Sequence, residues 1–214
     1  IITYSGNETQ GATISHGLEK NPAFIIIKRR TGGTSNWLVG HQSLAANWGQ
    51  VMYLNLTDSQ FNQPEPFNDT APTSSVWTMW DSSSNNANGS TYVAYLWADV
   101  PGLQKFGKYT GNNNADGPFI ELGFRPSVII IKRSDGGTEN WTLWDAARNS
   151  ENVMGRQLYP NLTTAEADAG TNTSYGILDF VSNGVKIRGS HSSFNSSGGT
   201  FIYAAWAEAP TFNL

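Results

Sequence analysis

The sequence predicts an all-β protein made of two tandem, homologous antiparallel β-sandwich units, jelly-roll or lectin-like in style. Three observations carry that expectation. First, the chain is written twice: Tyr4-Ser-Gly-Asn7 returns as Tyr109-Thr-Gly-Asn112, FIIIKRRTGGTSNW (24–37) as VIIIKRSDGGTENW (128–141), and STYVAYLWADVP (90–101) as GTFIYAAWAEAP (199–210). A repeat of about 105 residues matches one compact domain rather than one turn of a solenoid. Second, short apolar runs are separated by segments rich in Asn, Ser, Thr and Gly, the pattern of strands joined by many turns. Third, helical periodicity is nearly absent. The expected units are 1–104 and 105–214, and a single sandwich shared by both copies is the alternative.

Each copy opens with Tyr-(Ser/Thr)-Gly-Asn, expected as a turn, and reaches Asn21-Pro22 or Arg125-Pro126 before its strongest apolar run. Proline is tolerated at a strand's first residue, where no ladder donor is yet required. Strands therefore start near Phe24 and Val128, with both faces apolar as in a covered central strand. Gly32-Gly33 and Gly136-Gly137 supply residues for a tight hairpin leading to Asn36-Trp37 and Asn140-Trp141. Further strands are expected at 51–56, 76–80, 177–181 and 185–188, with Asn183-Gly184 as a type I′ signal between the last two. The closing strands, 92–98 and 201–207, carry apolar residues on both faces and must be covered on both sides. The best helical candidates, 43–48 and 165–169, are too short to stand alone.

The 214 residues are 38% apolar and only 14% charged, with net charge −4 and Lys and Arg scattered. That distribution gives no electrostatic footprint for a phosphate backbone and argues against a nucleic-acid partner. Without cysteine, disulfide scaffolds and thiolate metal sites are excluded. No apolar run approaches the length of a membrane-spanning helix, so membrane insertion is not expected. Ile1 aligns with Phe106 at the start of the second copy, and the chain is expected to begin at a repeat boundary inside a longer polypeptide.

Tryptophans shared by the copies, Trp37 with Trp141 and Trp97 with Trp206, are expected to serve the common fold. The unshared Trp48, Trp77, Trp80 and Trp144 are freer to act locally. Trp77 and Trp80 lie three apart, so on a strand only one can look outward. An exposed indole beside Asp81, Asn85, Asn86 and Asn88 would form a stacking platform with polar neighbours, which suits sugars. The candidate ligand residues are thus Trp77, Trp80, Asp81, Asn85, Asn86 and Trp144, set against the plainer reading of core plus solvated turn. Catalysis finds little support. His41 aligns with Asp145, so no acid-base residue is common to both copies, and Asp145, Arg148, Glu151 and Glu166 only loosely suggest a carboxylate pair. No cofactor is expected; Asp81–Asn85 and Asn112–Asp116 offer oxygen ligands for calcium, although Asx turns that satisfy their own backbone explain them better. Asn-x-Ser/Thr triplets at Asn7, Asn55, Asn68, Asn88, Asn140, Asn161, Asn172 and Asn195 agree with exposed turns, with Asn55 and Asn140 abutting strands.

Several separated motifs together resemble a repeat family in structural proteins of tailed bacteriophages, especially marine ones. They are YTGN (109–112), GFRP (123–126), IIIKRSDGGTENWTLWDAARN (129–149) and SGGTFIYAAWAEAP (197–210). The first copy resembles the companion half through SHGL (15–18), IIIKRRTGGTSNW (25–37), YLNLTDSQ (53–60) and TAPTSSVWTM (70–79). The resemblance implies a virion protein, extracellular, in a tail fibre or other appendage. Its expected partners are a host-surface glycan and other virion proteins, in a homo-oligomer with a trimer favoured, and it implies no enzyme activity. The chain ends soon after Pro210, which fits a terminal position or trimming. A capsid-decorating architectural protein and a carbohydrate-binding module of a secreted bacterial protein are the alternatives.

Overall fold

The computed structural model describes residues 1–63 and 65–208, so Ala209 and Pro210, which close the last repeated motif, lie outside the described residues. The chain divides into two compact units, Ile1–Asp99 and Val100–Leu214. Among the described residues every sheet is antiparallel and is built from strands of one unit. A division at residue 104 would cut a strand, which is why the structural boundary falls a few residues earlier. No helix is long and apolar enough to cross a membrane.

The first unit contains β1 (Ile2–Ser5), β2 (Ala12–Ser15), β3 (Phe24–Arg29), β4 (Leu38–His41), β5 (Gln50–Tyr53), β6 (Phe61–Asn62), β7 (Val76–Met79) and β8 (Thr91–Trp97). Its larger sheet runs β1-β8-β3-β4-β5-β6, and its smaller one pairs β2 with β7. Ile25, Ile27, Leu38, Tyr92 and Ala94 from the larger sheet pack with Trp77 and Met79 from the smaller one, forming a sandwich core.

The second unit contains β9 (Gln104–Thr110), β10 (Phe119–Glu121), β11 (Pro126–Arg133), β12 (Thr142–Asp145), β13 (Arg156–Gln157), β14 (Ala167–Asp168), β15 (Leu178–Val181), β16 (Gly184–Ile187), α1 (Ser192–Asn195) and β17 (Thr200–Ala207). Its larger sheet runs β12-β11-β17-β9, facing β10-β16-β15, and a short β13-β14 ribbon adjoins β12, where Leu158 bridges Leu143. Ile129, Ile131, Trp144, Phe201 and Tyr203 meet Ile120, Phe180, Val185 and Ile187 in its core.

Pairing is nested in the same way in both units. The first strand pairs with the last and the second with its late partner: β1 with β8 and β2 with β7, then β9 with β17 and β10 with β16. Nested antiparallel returns of this kind are the pattern of jelly-roll sandwiches. Registers correspond too. Phe24 lies opposite His41 and Trp97, as Val128 lies opposite Asp145 and Trp206.

The repeated Tyr-x-Gly-Asn motif is the strongest local device of the fold, and it is not simply a turn, because both tyrosines end in strands, β1 and β9. The Tyr4 phenol donates to the Asn85 carbonyl and Tyr109 to that of Phe194. Tyr4 stacks on Tyr92 and Tyr109 on Phe201, each pair with centroids 5.1 Å apart. The glycine that follows lies so close to a neighbouring loop that a Cβ would come within 2.3 Å of the Ala87 carbonyl at Gly6, and of the Ser196 carbonyl at Gly111. Next, the Asn7 amide donates to the Asn86 side chain at 3.0 Å, and the Asn112 amide to that of Asn195 at 2.9 Å.

Other expectations need correction. The Gly32-Gly33 and Gly136-Gly137 pairs have positive φ, but β3 ends at Arg29 and β4 starts at Leu38, so they shape a wide loop rather than a tight hairpin. Val181 pairs with Gly184, making Ser182-Asn183 the two-residue loop. None of Ser182, Asn183 and Gly184 has positive φ, so the turn is not type I′. Gly184 is required for closeness instead, since a Cβ there would meet the Ile120 carbonyl at 2.1 Å. Residues 43–48 form turns and 165–169 contain β14, because neither segment has the length to hold a helix without a packed apolar stripe. β17 is buried on both faces from Phe201 to Ala205 as expected, whereas β8 fully buries only Tyr92, Ala94 and Leu96, with Val93, Tyr95 and Trp97 half-buried.

Candidate functional site

The structure does not assemble the expected tryptophan platform. Trp77 is 0% exposed in the first core, edge-on to Tyr4 and stacked on His16. Trp144 is likewise 0% exposed, with its indole N–H donating to the Gly176 carbonyl at 3.1 Å. Asn85 and Asn86 are also buried. The Asn85 side chain donates to the Pro66 carbonyl at 2.7 Å, and Asn86 to the carbonyls of Thr9 and Trp80 at 3.2 and 2.6 Å. Of the six candidates, only half-buried Trp80 and exposed Asp81 reach the surface. Both side chains clamp loops and point away from solvent: Asn86 satisfies its oxygen and its nitrogen within the protein, and the Asn85 oxygen is buried without a partner, out of reach of a sugar.

The other singled-out side chains are mostly structural. Asn55 accepts from the Trp37 amide at 2.8 Å and donates to the Asn36 side chain. Asn161 repeats both contacts with Trp141 and Asn140. Asn195 is fully buried, so it is no exposed turn, whereas Asn7, Asn88 and Asn172 are exposed. In the Asn112–Asp116 loop, Asn112 and Asn114 accept from the backbone amides two residues on, and Asp116 pairs with Lys186 at 2.7 Å. Their oxygens thus serve the loop, and among the described residues no group of three or more His, Cys, Asp or Glu is placed to hold a metal. His16, His41 and His191 each accept a backbone N–H from the residue two positions on, acting as local caps in separate places.

An open pocket of about 630 Å³ lies in the second unit, at the edge of the larger sheet where β11 and β12 meet. Val128, Leu143, Ala146, Ala147 and Leu158 give it an apolar floor, and Ser127, Asp145, Arg148 and Glu208 its polar rim. The turn after β12 positions Arg148: its backbone N–H and its Nε both donate to Asp145, at 2.9 and 2.8 Å. Its Nη1 donates to Glu166 at 2.7 Å. Arg156 extends the chain of charges, 3.8 Å from Glu166 and 3.4 Å from Asp168. The hydrogen bond to Glu166, against the opposing pull of desolvation and with Asp145 alongside, raises the Arg148 pKa above its ordinary value. The structure therefore brings Asp145, Arg148 and Glu166 together, with the guanidinium between the carboxylates, and leaves Glu151 exposed outside the cluster. Such a rim can donate from the remaining Arg148 nitrogen and accept at Glu208, for which no partner is found among the described residues.

The first unit closes the corresponding place. Opposite His41 and Trp97 stands Phe24, its ring 5.4 Å from Trp97 and 5.8 Å from His41. Phe24 is 1% exposed, and Leu44, which aligns with Arg148, is 9% exposed. The trio Phe24, His41 and Leu44 is thus replaced by Val128, Asp145 and Arg148: two rings are lost and a charged pair is gained. Sequence reasoning named Asp145, Arg148 and Glu166 only as a loose carboxylate pair and missed Val128, Leu143, Leu158 and Glu208; the signal was where the two copies disagree on an otherwise shared framework.

Fold and pocket together define a duplicated antiparallel β protein in which one copy carries a polar-rimmed surface cavity. The chain belongs to the family described as a domain of unknown function, DUF7483, whose model matches residues 1–210. Both copies therefore lie within one family unit. No curated protein and no solved structure matches the chain.

Proposed function

We propose that the chain is an exposed segment of a tailed-phage appendage that attaches to host-surface glycan. The observation that carries this reading is a division of labour between shared and unshared residues. Positions common to both copies, such as Tyr4/Tyr109, Gly6/Gly111, Asn86/Asn195 and Asn55/Asn161, are occupied in holding the sandwiches together. At the open pocket the copies differ at Phe24/Val128, His41/Asp145 and Leu44/Arg148, while Glu208 keeps the acid found at Asp99. An apolar floor with a few convergent polar groups is the general form of a small-ligand site, and the volume lies within the usual range of about 300–1,000 Å³. The low charge and the bacteriophage resemblance point to carbohydrate rather than nucleic acid. Several such segments on one appendage would strengthen weak binding through effective concentration.

The test is a glycan array probed with the purified chain, joined to an adsorption assay in which soluble chain competes with phage for host cells. Selective array binding and blocked adsorption are expected. A blank array, with adsorption unaffected by excess chain, would reduce the segment to a spacer.

A further inference from the structure

We infer that the second-unit pocket takes a neutral sugar residue bearing a methyl group, as an acetamido or deoxy substituent, and discriminates against anionic sugars. The inference rests on the glycan-binding reading and deepens it. Three features select this chemistry. The place filled by the Phe24 ring in the first unit is left, at Val128, with a smaller side chain above Leu143 and Leu158, so an incoming apolar group is needed to complete the packing. A hexose ring alone is largely hydroxylated; a methyl substituent supplies that group.

Arg148 and Glu208 supply the polar half. Arg148 is fixed by Asp145 and Glu166, which leaves its Nη2 to donate to a sugar oxygen. The exposed Glu208 carboxylate can accept from a sugar hydroxyl. Finally, Asp145 and Glu208 line the opening, and the one guanidinium that lines it, that of Arg148, is already paired with Asp145 and with Glu166 beside the pocket. A carboxylated sugar would meet like charge there, whereas a neutral one would not.

The test uses the full chain and saturation-transfer NMR with four probes: N-acetylglucosamine, fucose, glucose and glucuronic acid. The methyl groups of N-acetylglucosamine and fucose are expected to receive the strongest saturation. Both sugars should bind about fourfold tighter than glucose, the value of burying one methyl group, and glucuronic acid should bind weakest. Val128→Phe, which places in the second unit the residue the first unit already carries, is expected to abolish binding of the methyl-bearing sugars while retaining the wild-type melting temperature.

Glu208→Lys changes an exposed side chain and serves if the first variant does not fold; it is expected to raise glucuronic acid affinity relative to glucose. An unchanged ratio of glucuronic acid to glucose affinity in Glu208→Lys, or undiminished binding in a folded Val128→Phe, would overturn the pocket assignment while leaving array-detected glycan binding intact. A chain that binds no sugar in either experiment would remove both proposals.

Discussion

Replacing Asn86 by Ala tests the central structural claim, that this residue is a fold clamp and not a ligand. Its side chain accepts from the Asn7 amide at 3.0 Å and donates to the Thr9 and Trp80 carbonyls at 3.2 and 2.6 Å. Truncation removes three hydrogen bonds and leaves backbone groups in a partly buried setting without these partners. At roughly 1 kcal/mol per net bond, and up to about 3 for a group left buried and unsatisfied, the expected loss is about 3–5 kcal/mol. Asn86→Asp should cost at least as much, since a carboxylate keeps the acceptor but loses both donors and faces two carbonyl oxygens. Asn195→Ala should match it in the second unit, where the same side chain accepts from Asn112 and donates to Asn114 and Gly189. Urea unfolding followed by tryptophan fluorescence measures each loss. Values below about 1 kcal/mol for both alanine variants would refute the clamp, because surface substitutions away from special features usually stay within about 0.5 kcal/mol.

Gly6→Ala and Gly111→Ala should each destabilise their unit by about 1–3 kcal/mol, because the added methyl meets a backbone carbonyl that cannot swing away; thermal unfolding reads this directly. Alkaline stability is set partly by the buried phenols: burial holds Tyr109 well above its ordinary pKa, and burial followed by the neighbouring Tyr92 does the same for Tyr4. The unfolded chain therefore loses these protons first, so stability is complete below about pH 10 and falls as pH rises beyond it. Tyr109→Phe should flatten that fall, and ultraviolet titration should show Tyr109 ionising after the exposed phenols. In a glycosylating host, Asn55 and Asn161 should remain unmodified in folded protein because their amide nitrogens are engaged, while exposed Asn88 is open to modification; peptide mass mapping would show which sequons carry glycan.

The duplication, the all-β class and most long strands were legible in the sequence, because two-sided apolar runs such as 24–27 and 128–131 can be satisfied only by central strands. The short strands β6, β13 and β14 were not, since two residues carry no periodicity and form only because partners are already in place. The ligand candidates were misread for a related reason. Trp77 and Asn86 are residue types that serve equally in cores and at surfaces, and only three-dimensional packing decides which face of a strand is inside.

Local chemistry thus determined which segments form strands and which copies correspond, as side-chain alternation and turn residues act over a few residues of chain. The tertiary structure alone decided that the Tyr-Gly-Asn motif locks onto a loop some 80 residues away, with a separation of 81 between Tyr4 and Asn85. It also decided that Val128 lines an open pocket where the aligned Phe24 is buried. Both depend on the contacts that distant segments make, and no window along the sequence contains them.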